Sequence, residues 1–215
     1  MSAPPSRLDA PDPPADLECT ITTLPKGTFL HRIHDHRFAG NSFNPGVGES
    51  RFAPFELNGE NVPTSYAASC LECAIFESIF HDIDPAAPFK SVLFSKIEAL
   101  DYSLLELNRD VSLATLFAPD LMSWGVARNQ LIDTPRSLYP KTRLWSVPIH
   151  EAPQKPQGML WTSRAFDEER AMMLFGTRVA RADLKLISTV KVTSDLVCYR
   201  AVQQQAARAK ILIAR

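Results

Sequence analysis

The sequence predicts a single compact α+β domain, and three observations lead to this class. The chain has 215 residues, which fits one ordinary domain and is long enough to bury a core. Apolar residues make up 45% of the chain and charged residues 22%, as in a typical globular protein. Segments with strand and helix character alternate irregularly, without the repeated βαβ pattern of a parallel sheet, so the fold is α+β.

The first 20 residues are predicted to form a Pro-rich N-terminal tail, followed by the folded domain at 21–215. Proline, aspartate and alanine dominate the stretch up to about residue 17, a composition typical of a disordered or loosely docked segment. This stretch contains no basic region followed by an apolar one, and no window of the chain is long enough to span a bilayer. The cytoplasm is therefore the default location, and export without a classical signal stays open.

The first predicted strand is Thr28–His34, which follows a turn at 25–27. Because alternate side chains of a strand point to opposite faces, Arg32 and His34 share one face and His31 lies on the other. Three further segments are predicted before the first helix, namely a Gly-, Asn- and Pro-rich loop over 38–50, a short strand over 50–53 and a strand end over 64–67.

The clearest helix is predicted over Ser69–His81. Its apolar residues occupy two sides, with Leu71, Ile75 and Ile79 on one and Cys73, Phe76 and Phe80 on the other. A helix that is apolar on both sides is usually buried. Glu77 lies on the side of Cys73 and Phe80, so we expect this carboxylate to be shielded from solvent.

The second half of the domain is predicted to contain three strands, a helical region broken by prolines and two later helices. In chain order these are a strand over 92–97, short helices over 104–149, a strand over 159–163, a helix over 167–176, a strand over 184–192 and a last helix capped at 194–195. The helix at 167 is predicted because Asp167 can act as N-cap, Glu168 and Glu169 follow in the first turn, and Gly176 ends the apolar run.

Charge and motif content exclude several classes of function. The 23 basic and 24 acidic side chains leave no basic excess, so direct binding of nucleic acid is not expected. The chain has no dinucleotide fingerprint of glycines, no phosphate-binding loop and no GxSxG nucleophile elbow. Cys70 and Cys73 form a lone CxxC without a second close pair, and His34 and His36 lack a third ligand at a supporting spacing. No metal site is therefore predicted.

Five scattered residues could together carry chemistry on a nucleotide sugar, namely Arg32, Arg51, Tyr66, Glu77 and Ser163. Two guanidinium groups can clamp a diphosphate, and a tyrosine ring can pack against a base or a sugar. A half-buried carboxylate can stabilise a cationic sugar transition state, and a serine hydroxyl can orient a carboxamide or a sugar hydroxyl. The alternative that Arg32 only pairs with Glu77 inside the fold stays open.

The order and local context of these residues resemble the RES-domain family, which is named for an Arg, a Glu and a Ser. The matching segments are Leu30–Arg32, Gly48–Phe52, Ser65–Ser69, Ala74–Glu77 and Gly158–Arg164. The most specific stretch is YAASCLECAIFE, and GMLWTSR supports the resemblance independently. Together they cover most of the chain between about residues 27 and 180.

The resemblance implies a fold similar to that of ADP-ribosyltransferases, with a mixed, mostly antiparallel sheet flanked by helices. It implies the toxin of a bacterial toxin–antitoxin system that consumes NAD+ by cleaving the bond between nicotinamide and ribose, through hydrolysis or phosphorolysis. NAD+ would be the substrate, and no cofactor is expected. The implied partner is a cognate antitoxin of the DNA-binding Xre type. A homodimer stays open, and no membrane partner is expected.

The resemblance also implies roles for individual residues. The catalytic set would be Arg32, Glu77 and Ser163, and the substrate-binding set would be Arg51, Tyr66, His34 and Arg164. Arg32 and Arg51 would hold NAD+, and Glu77 would stabilise the oxocarbenium-like transition state. Tyr66 would pack against the nicotinamide ribose, while Ser163 would fix the nicotinamide end. Two alternatives stay open, namely mono-ADP-ribosylation of a protein target and a nucleotide-binding module without activity.

Overall fold

Twelve strands and seven α-helices occur in residues 9–215, the part of the chain that the computed structural model describes. The strands are β1 (Ile21–Leu24), β2 (Phe29–Asp35), β3 (Glu56–Leu57), β4 (Glu60–Asn61), β5 (Thr64–Ala68), β6 (Ser91–Leu93), β7 (Leu100–Leu107), β8 (Val111–Thr115), β9 (Gly158–Thr162), β10 (Arg170–Phe175), β11 (Leu184–Lys191) and β12 (Leu212–Ala214). The α-helices are α1 (Leu71–Ser78), α2 (Phe94–Glu98), α3 (Ala118–Ser123), α4 (Arg128–Leu131), α5 (Tyr139–Thr142), α6 (Ser146–Glu151) and α7 (Leu196–Arg208). Within residues 9–215 none of the helices could span a lipid bilayer.

Eight strands form one sheet in the order β1-β8-β9-β10-β5-β2-β7-β11. Only β8 and β9 run parallel within it, and every other neighbouring pair is antiparallel. Only residues 108–110 connect β7 to β8, although these strands lie near opposite ends of the order. The sheet must therefore curl so that its ends approach each other. The predicted α+β class with a mixed, mostly antiparallel sheet is confirmed.

The two faces of the sheet bury different kinds of core. One core cluster combines strand residues with helical residues such as Ile75 of α1 and Val202 of α7. The buried members of the other cluster come from strands, apart from Val179. This second cluster contains Leu30, which lies on β2 on the same face as Arg32. Ile33, on the opposite face of β2, belongs to the first cluster. The alternation predicted for this strand is therefore present, and it decides which side chains can reach α1.

Several predicted elements are confirmed with small shifts of their ends. They are the first strand, the loop over 38–50, the strand ending near 67, the helix that contains Glu77, the strand near 160, the strand from 184 and the last helix. Helix α1 begins after Cys70, whose Sγ accepts a hydrogen bond from Cys73 N at 3.3 Å. Helix α7 begins after Asp195, whose side chain accepts from Cys198 N at 2.8 Å.

The predicted helix over 167–176 is wrong, because strand β10 occupies most of this stretch. Asp167 and Glu168 lie in the turn that joins β9 to β10, and Glu169 O accepts a hydrogen bond from Ser163 N at 3.0 Å. Acidic residues favour both helix starts and turns, so their presence did not distinguish the two. The run from Ala171 to Phe175 is buried throughout, which removes the alternation by which an exposed strand is recognised.

Three other predictions need correction. Residues 50–53 form no strand, and the stretch over 92–97 divides into the short strand β6 and helix α2. The region over 104–149 is helical only from Ala118, because β7 and β8 occupy its beginning. Strand β7 buries every second residue from Ser103, whereas β8 is buried at every position except Ser112, and the prolines that suggested broken helices lie beyond both strands. Strand β6 is paired with the C-terminal β12, a long-range contact that local sequence does not reveal.

The predicted N-terminal tail is only partly described, since residues 1–8 lie outside the described residues. Residues 9–20 pack on the domain. Trp145 Nε1 donates a hydrogen bond to Pro11 O at 2.9 Å, and Trp124 Nε1 donates to Glu18 O at 2.9 Å. Leu17 is buried in the first core cluster. This part of the tail is thus docked by specific contacts.

Candidate active site

The candidate site is centred on a hydrogen-bonded pair formed by Glu77 and Ser163. Helix α1 carries Glu77 in its last turn, and Ser163 directly follows β9. Ser163 Oγ donates to Glu77 Oε1 at 2.6 Å and accepts from Phe166 N at 3.1 Å. Ser163 is fully buried, whereas Glu77 is half-buried. A serine hydroxyl has one hydrogen to donate, so these two bonds fix its direction and leave the other carboxylate oxygen of Glu77 available to a ligand.

Glu77 lines a cavity of about 280 Å³ together with Arg51, Tyr66 and His81. This cavity shares Tyr66 with a neighbouring cavity of about 200 Å³ beside the loop over 38–50. It shares His81 and Arg136 with a larger neighbour of about 800 Å³. The structure therefore brings three of the predicted site residues, Arg51, Tyr66 and Glu77, together at one cavity with two adjoining cavities, and Ser163 is bonded to Glu77.

Arg51 places a buried positive charge at this cavity. Its exposure is 3%, and its only side-chain hydrogen bond to the described residues runs from Nε to Thr134 Oγ1 at 3.4 Å. Its Cζ lies 5.7 Å from the centre of the Tyr139 ring. Burial lowers the pKa of Arg51, the main cause, while nearby Tyr139 and Glu77 oppose the shift. Since a guanidinium has five N–H donors, most remain available for an anionic ligand.

Tyr66 supplies an aromatic wall and a neutral hydroxyl. Ser50 Oγ donates its hydrogen to Ala53 O at 2.9 Å, so the Tyr66 hydroxyl, 2.9 Å away, donates to Ser50 Oγ. The Tyr66 ring meets Trp161 edge to face, with 6.1 Å between ring centroids. Burial raises the pKa of Tyr66 to about 12, which keeps the phenol protonated at neutral pH.

Arg32 is not among the residues that line these cavities. Its Nη1 donates to Gly40 O at 2.9 Å, to Ser42 O and to Ser65 Oγ at 2.8 Å. Burial lowers the pKa of Arg32 to about 10, so the group remains a cation at neutral pH. No ion pair with Glu77 is formed within the described residues. The guanidinium thus connects the start of the loop over 38–50 to β5 through hydrogen bonds.

His34 lies on the same face of β2 as Arg32 and is likewise absent from the cavity walls. Its Nδ1 lies 3.0 Å from Asp35 O, and its Nε2 lies 2.8 Å from Ser103 Oγ. Because a carbonyl can only accept, Nδ1 carries the proton and Nε2 accepts from the serine. Burial, the largest cause, lowers the pKa of His34. These bonds indicate a structural role.

Replacing Arg32 with methionine is expected to lower the free energy of unfolding by roughly 2 to 4 kcal/mol, because buried carbonyls lose a charged donor. Urea unfolding followed by circular dichroism would measure this change. The exposed Arg37, five positions along the chain, provides the control, and Arg37→Met should leave the unfolding curve unchanged. An Arg32→Met variant as stable as the parent would contradict the structural role of Arg32.

The segment over 134–146, which is helical from Arg136, contributes residues that sequence reasoning missed. Tyr139, which is 2% exposed, places its hydroxyl 3.1 Å from His81 Nε2. Arg164, predicted as a substrate-binding residue, donates to Thr134 O at 3.1 Å and to His81 O at 2.8 Å, and it lines the larger cavity. Burial, the largest cause, lowers the pKa of His81. The only local signal was the three basic residues around a single tyrosine over 136–143.

This arrangement presents charges of both signs to a ligand. Within residues 9–215 no group of three or more His, Cys, Asp or Glu side chains could hold a metal. The charged residues that line the cavity are Arg51, Arg136, Glu49, Glu77 and Asp82, and Tyr66 adds an aromatic ring. A ligand with an anionic part and a part that becomes cationic during reaction would match both charges.

Comparisons with known proteins identify the family and the fold of this chain. A family model described as the RES domain matches residues 29–207, which include every predicted site residue. None of the curated proteins matches the chain. Among solved structures, the crystal structure of the M. tuberculosis MbcT–MbcA toxin–antitoxin complex aligns with a TM-score of 0.57 and 16% sequence identity. The alignment covers 86% of this chain and 92% of that chain, and it shows a shared fold.

Proposed function

Because this chain belongs to the RES-domain family, we propose that it is a toxin-type enzyme that consumes NAD+ by cleaving the bond between nicotinamide and ribose. The observation that carries the proposal is the 2.6 Å hydrogen bond from Ser163 Oγ to Glu77 Oε1, at a cavity that also contains Arg51. Cleavage of a glycosidic bond builds positive charge on the sugar, which a fixed carboxylate stabilises. The diphosphate of NAD+ requires a cation, and a guanidinium binds it through paired hydrogen bonds.

In the proposed reaction Arg51 binds the diphosphate and Tyr66 packs against the nicotinamide ribose. Glu77 accepts a hydrogen bond from a ribose hydroxyl, and its charge stabilises the oxocarbenium-like transition state. The bond from the anomeric carbon to the pyridinium nitrogen breaks, and its electron pair leaves with neutral nicotinamide. An oxygen of water or phosphate then bonds to the anomeric carbon. With water, one proton is released to solvent.

Ser163 orients Glu77 in this scheme. Its hydroxyl is committed to Oε1 and is itself held by Phe166 N. The carboxylate is thereby fixed before substrate binds, and a preorganised charge stabilises a transition state more than a mobile one does. Arg32 and His34 support the loop and strand behind the site, and Arg164 supports its opposite wall.

The central cavity and its larger neighbour are together compatible in size with a dinucleotide. Pockets for small ligands commonly measure about 300 to 1,000 Å³. The central cavity of about 280 Å³ lies just below this range and its neighbour of about 800 Å³ lies within it, and we assign the nicotinamide riboside part to the first and the adenosine part to the second. Arg136 and Arg164 line that larger cavity beside the carboxylates of Asp82, Asp84 and Asp133, so it presents charges of both signs to the substrate.

We further propose that a cognate antitoxin of the DNA-binding Xre type restrains this activity in the bacterial cytoplasm. The support is the family and the shared fold with MbcT–MbcA, a complex described as a toxin with its antitoxin. Co-expression of the chain with the product of an adjacent reading frame would test it. Co-purification and restored growth are expected, whereas toxicity that no neighbouring gene product relieves would contradict it.

The activity is tested by following NAD+ and nicotinamide over time with purified protein, with and without inorganic phosphate. Loss of NAD+ with equal release of nicotinamide is expected. Mass spectrometry of the second product distinguishes ADP-ribose from its 1″-phosphate, and intact-protein mass distinguishes transfer to a protein. Folded protein that binds NAD+ without consuming it would contradict the enzyme and favour a binding module.

A further inference from the structure

We propose that the buried hydroxyl groups of Thr142 and Ser146 position Arg51 for substrate binding. Thr142 Oγ1 donates to the carbonyl of Arg51 at 2.6 Å, and Ser146 Oγ donates to the carbonyl of Phe52 at 2.7 Å. Both hydroxyl-bearing residues have an exposure of 0%. This inference rests on the proposed function, because it assigns a role in holding the residue that would bind the diphosphate.

The backbone around Arg51 needs such support because residues 50–55 belong to no helix or strand. Its carbonyls therefore lack the regular partners that a sheet or helix provides, and a buried carbonyl without a donor is destabilising. Thr142 ends α5 and Ser146 begins α6, four positions later. Residues four apart lie on the same side of a helix, so the two hydroxyls reach two successive carbonyls of the loop.

The guanidinium of Arg51 is itself weakly anchored. Its one hydrogen bond to the described residues, from Nε to Thr134 Oγ1, is 3.4 Å long, and its other contact is the Tyr139 ring face at 5.7 Å. The position of the side chain therefore depends on where its backbone is held. A weakly anchored side chain on a firmly held backbone leaves its N–H donors to the ligand and still places them correctly.

Loss of a positioning hydroxyl should weaken substrate binding more than the chemical step. Thr142→Val keeps the shape of the side chain and removes its donor, so the Arg51 carbonyl must move or remain unpaired. A displacement of about 1 Å in a binding group can reduce efficiency by up to about 100-fold. We expect Thr142→Val to raise the KM for NAD+ about tenfold and to change kcat less than threefold.

Three matched variants separate positioning from general stability. Thr142→Ser retains the hydroxyl and should restore the KM of the parent. Ser146→Ala removes the second donor and should raise KM in the same direction, which keeps the test available if Thr142→Val folds poorly. Thr115 lies on β8, and its buried hydroxyl donates to Thr20 O at 3.3 Å. Thr115→Val removes this hydroxyl and should leave KM unchanged.

The experiment measures kcat and KM for NAD+ at a temperature well below each unfolding midpoint, with calorimetric binding of NAD+ as the second readout. A raised KM and dissociation constant for Thr142→Val and Ser146→Ala, restored by Thr142→Ser, supports the proposal. An active parent whose KM does not change in either variant, or changes equally in Thr142→Ser, overturns it while the proposed function stands. A folded parent that neither binds nor consumes NAD+ overturns both.

Discussion

Replacing Glu77 with glutamine is expected to reduce the kcat for NAD+ cleavage by about three orders of magnitude, while the fold is retained. Glutamine has the same shape, and its amide oxygen can still accept the hydrogen bond from Ser163 Oγ. The variant therefore loses the negative charge and little else. Because that charge is proposed to act on the transition state, kcat should fall while the KM for NAD+ changes little. Release of nicotinamide measured by chromatography gives both constants.

Glu72 provides the control for this charge change, since it lies on the same helix, in the first turn of α1. Glu72→Gln makes the same substitution away from the cavity and should retain the activity of the parent. A Glu77→Gln variant that keeps more than a tenth of the parent kcat would contradict the transition-state role. Circular dichroism of both variants establishes that neither has unfolded.

The sequence allowed good prediction of the parts of the site that depend on local pattern. Apolar residues on both sides of α1 indicated that Glu77 would be shielded, and the structure places this carboxylate half-buried against Ser163. The association of Glu77 with Arg51 and Tyr66 came from the order of short motifs, and these residues line one cavity. Strand alternation also separated Arg32 correctly from His31 and Ile33.

Sequence alone could not establish that Arg32 and His34 on β2 would lie away from the cavity walls. Their position depends on the strand order and on the side against which α1 packs, both of which follow from long-range contacts. The same limit explains why Thr134 and Tyr139 were missed. Their segment gives only a pattern of short helices broken by prolines, and its contact with Arg51 joins residues more than 80 positions apart in the chain.

Arg32 and Arg51, both buried, illustrate how the structure distinguishes a framework residue from a proposed ligand-binding one. Arg32 satisfies its charge with two carbonyls and a serine hydroxyl, so its removal should damage the fold. Arg51 is equally buried but makes one long hydrogen bond to the described residues. A buried cation with so little compensation is unfavourable for stability, and such local conflicts are expected at functional sites.

Replacing Arg51 with methionine is therefore expected to change stability and activity in opposite directions. The unliganded protein should become more stable by about 1 kcal/mol, because a poorly compensated buried charge is replaced by an apolar chain of similar length. The kcat/KM for NAD+ should fall about 100-fold or more, since the diphosphate loses its charged partner. Urea unfolding without ligand measures the stability, and nicotinamide release measures the activity. Arg32→Met should instead lose stability, and its loss of stability should exceed that of Arg51→Met. An Arg51→Met variant that loses stability and retains activity would assign Arg51 to the framework and leave the diphosphate to other cations, of which Arg136 and Arg164 line the adjoining cavity.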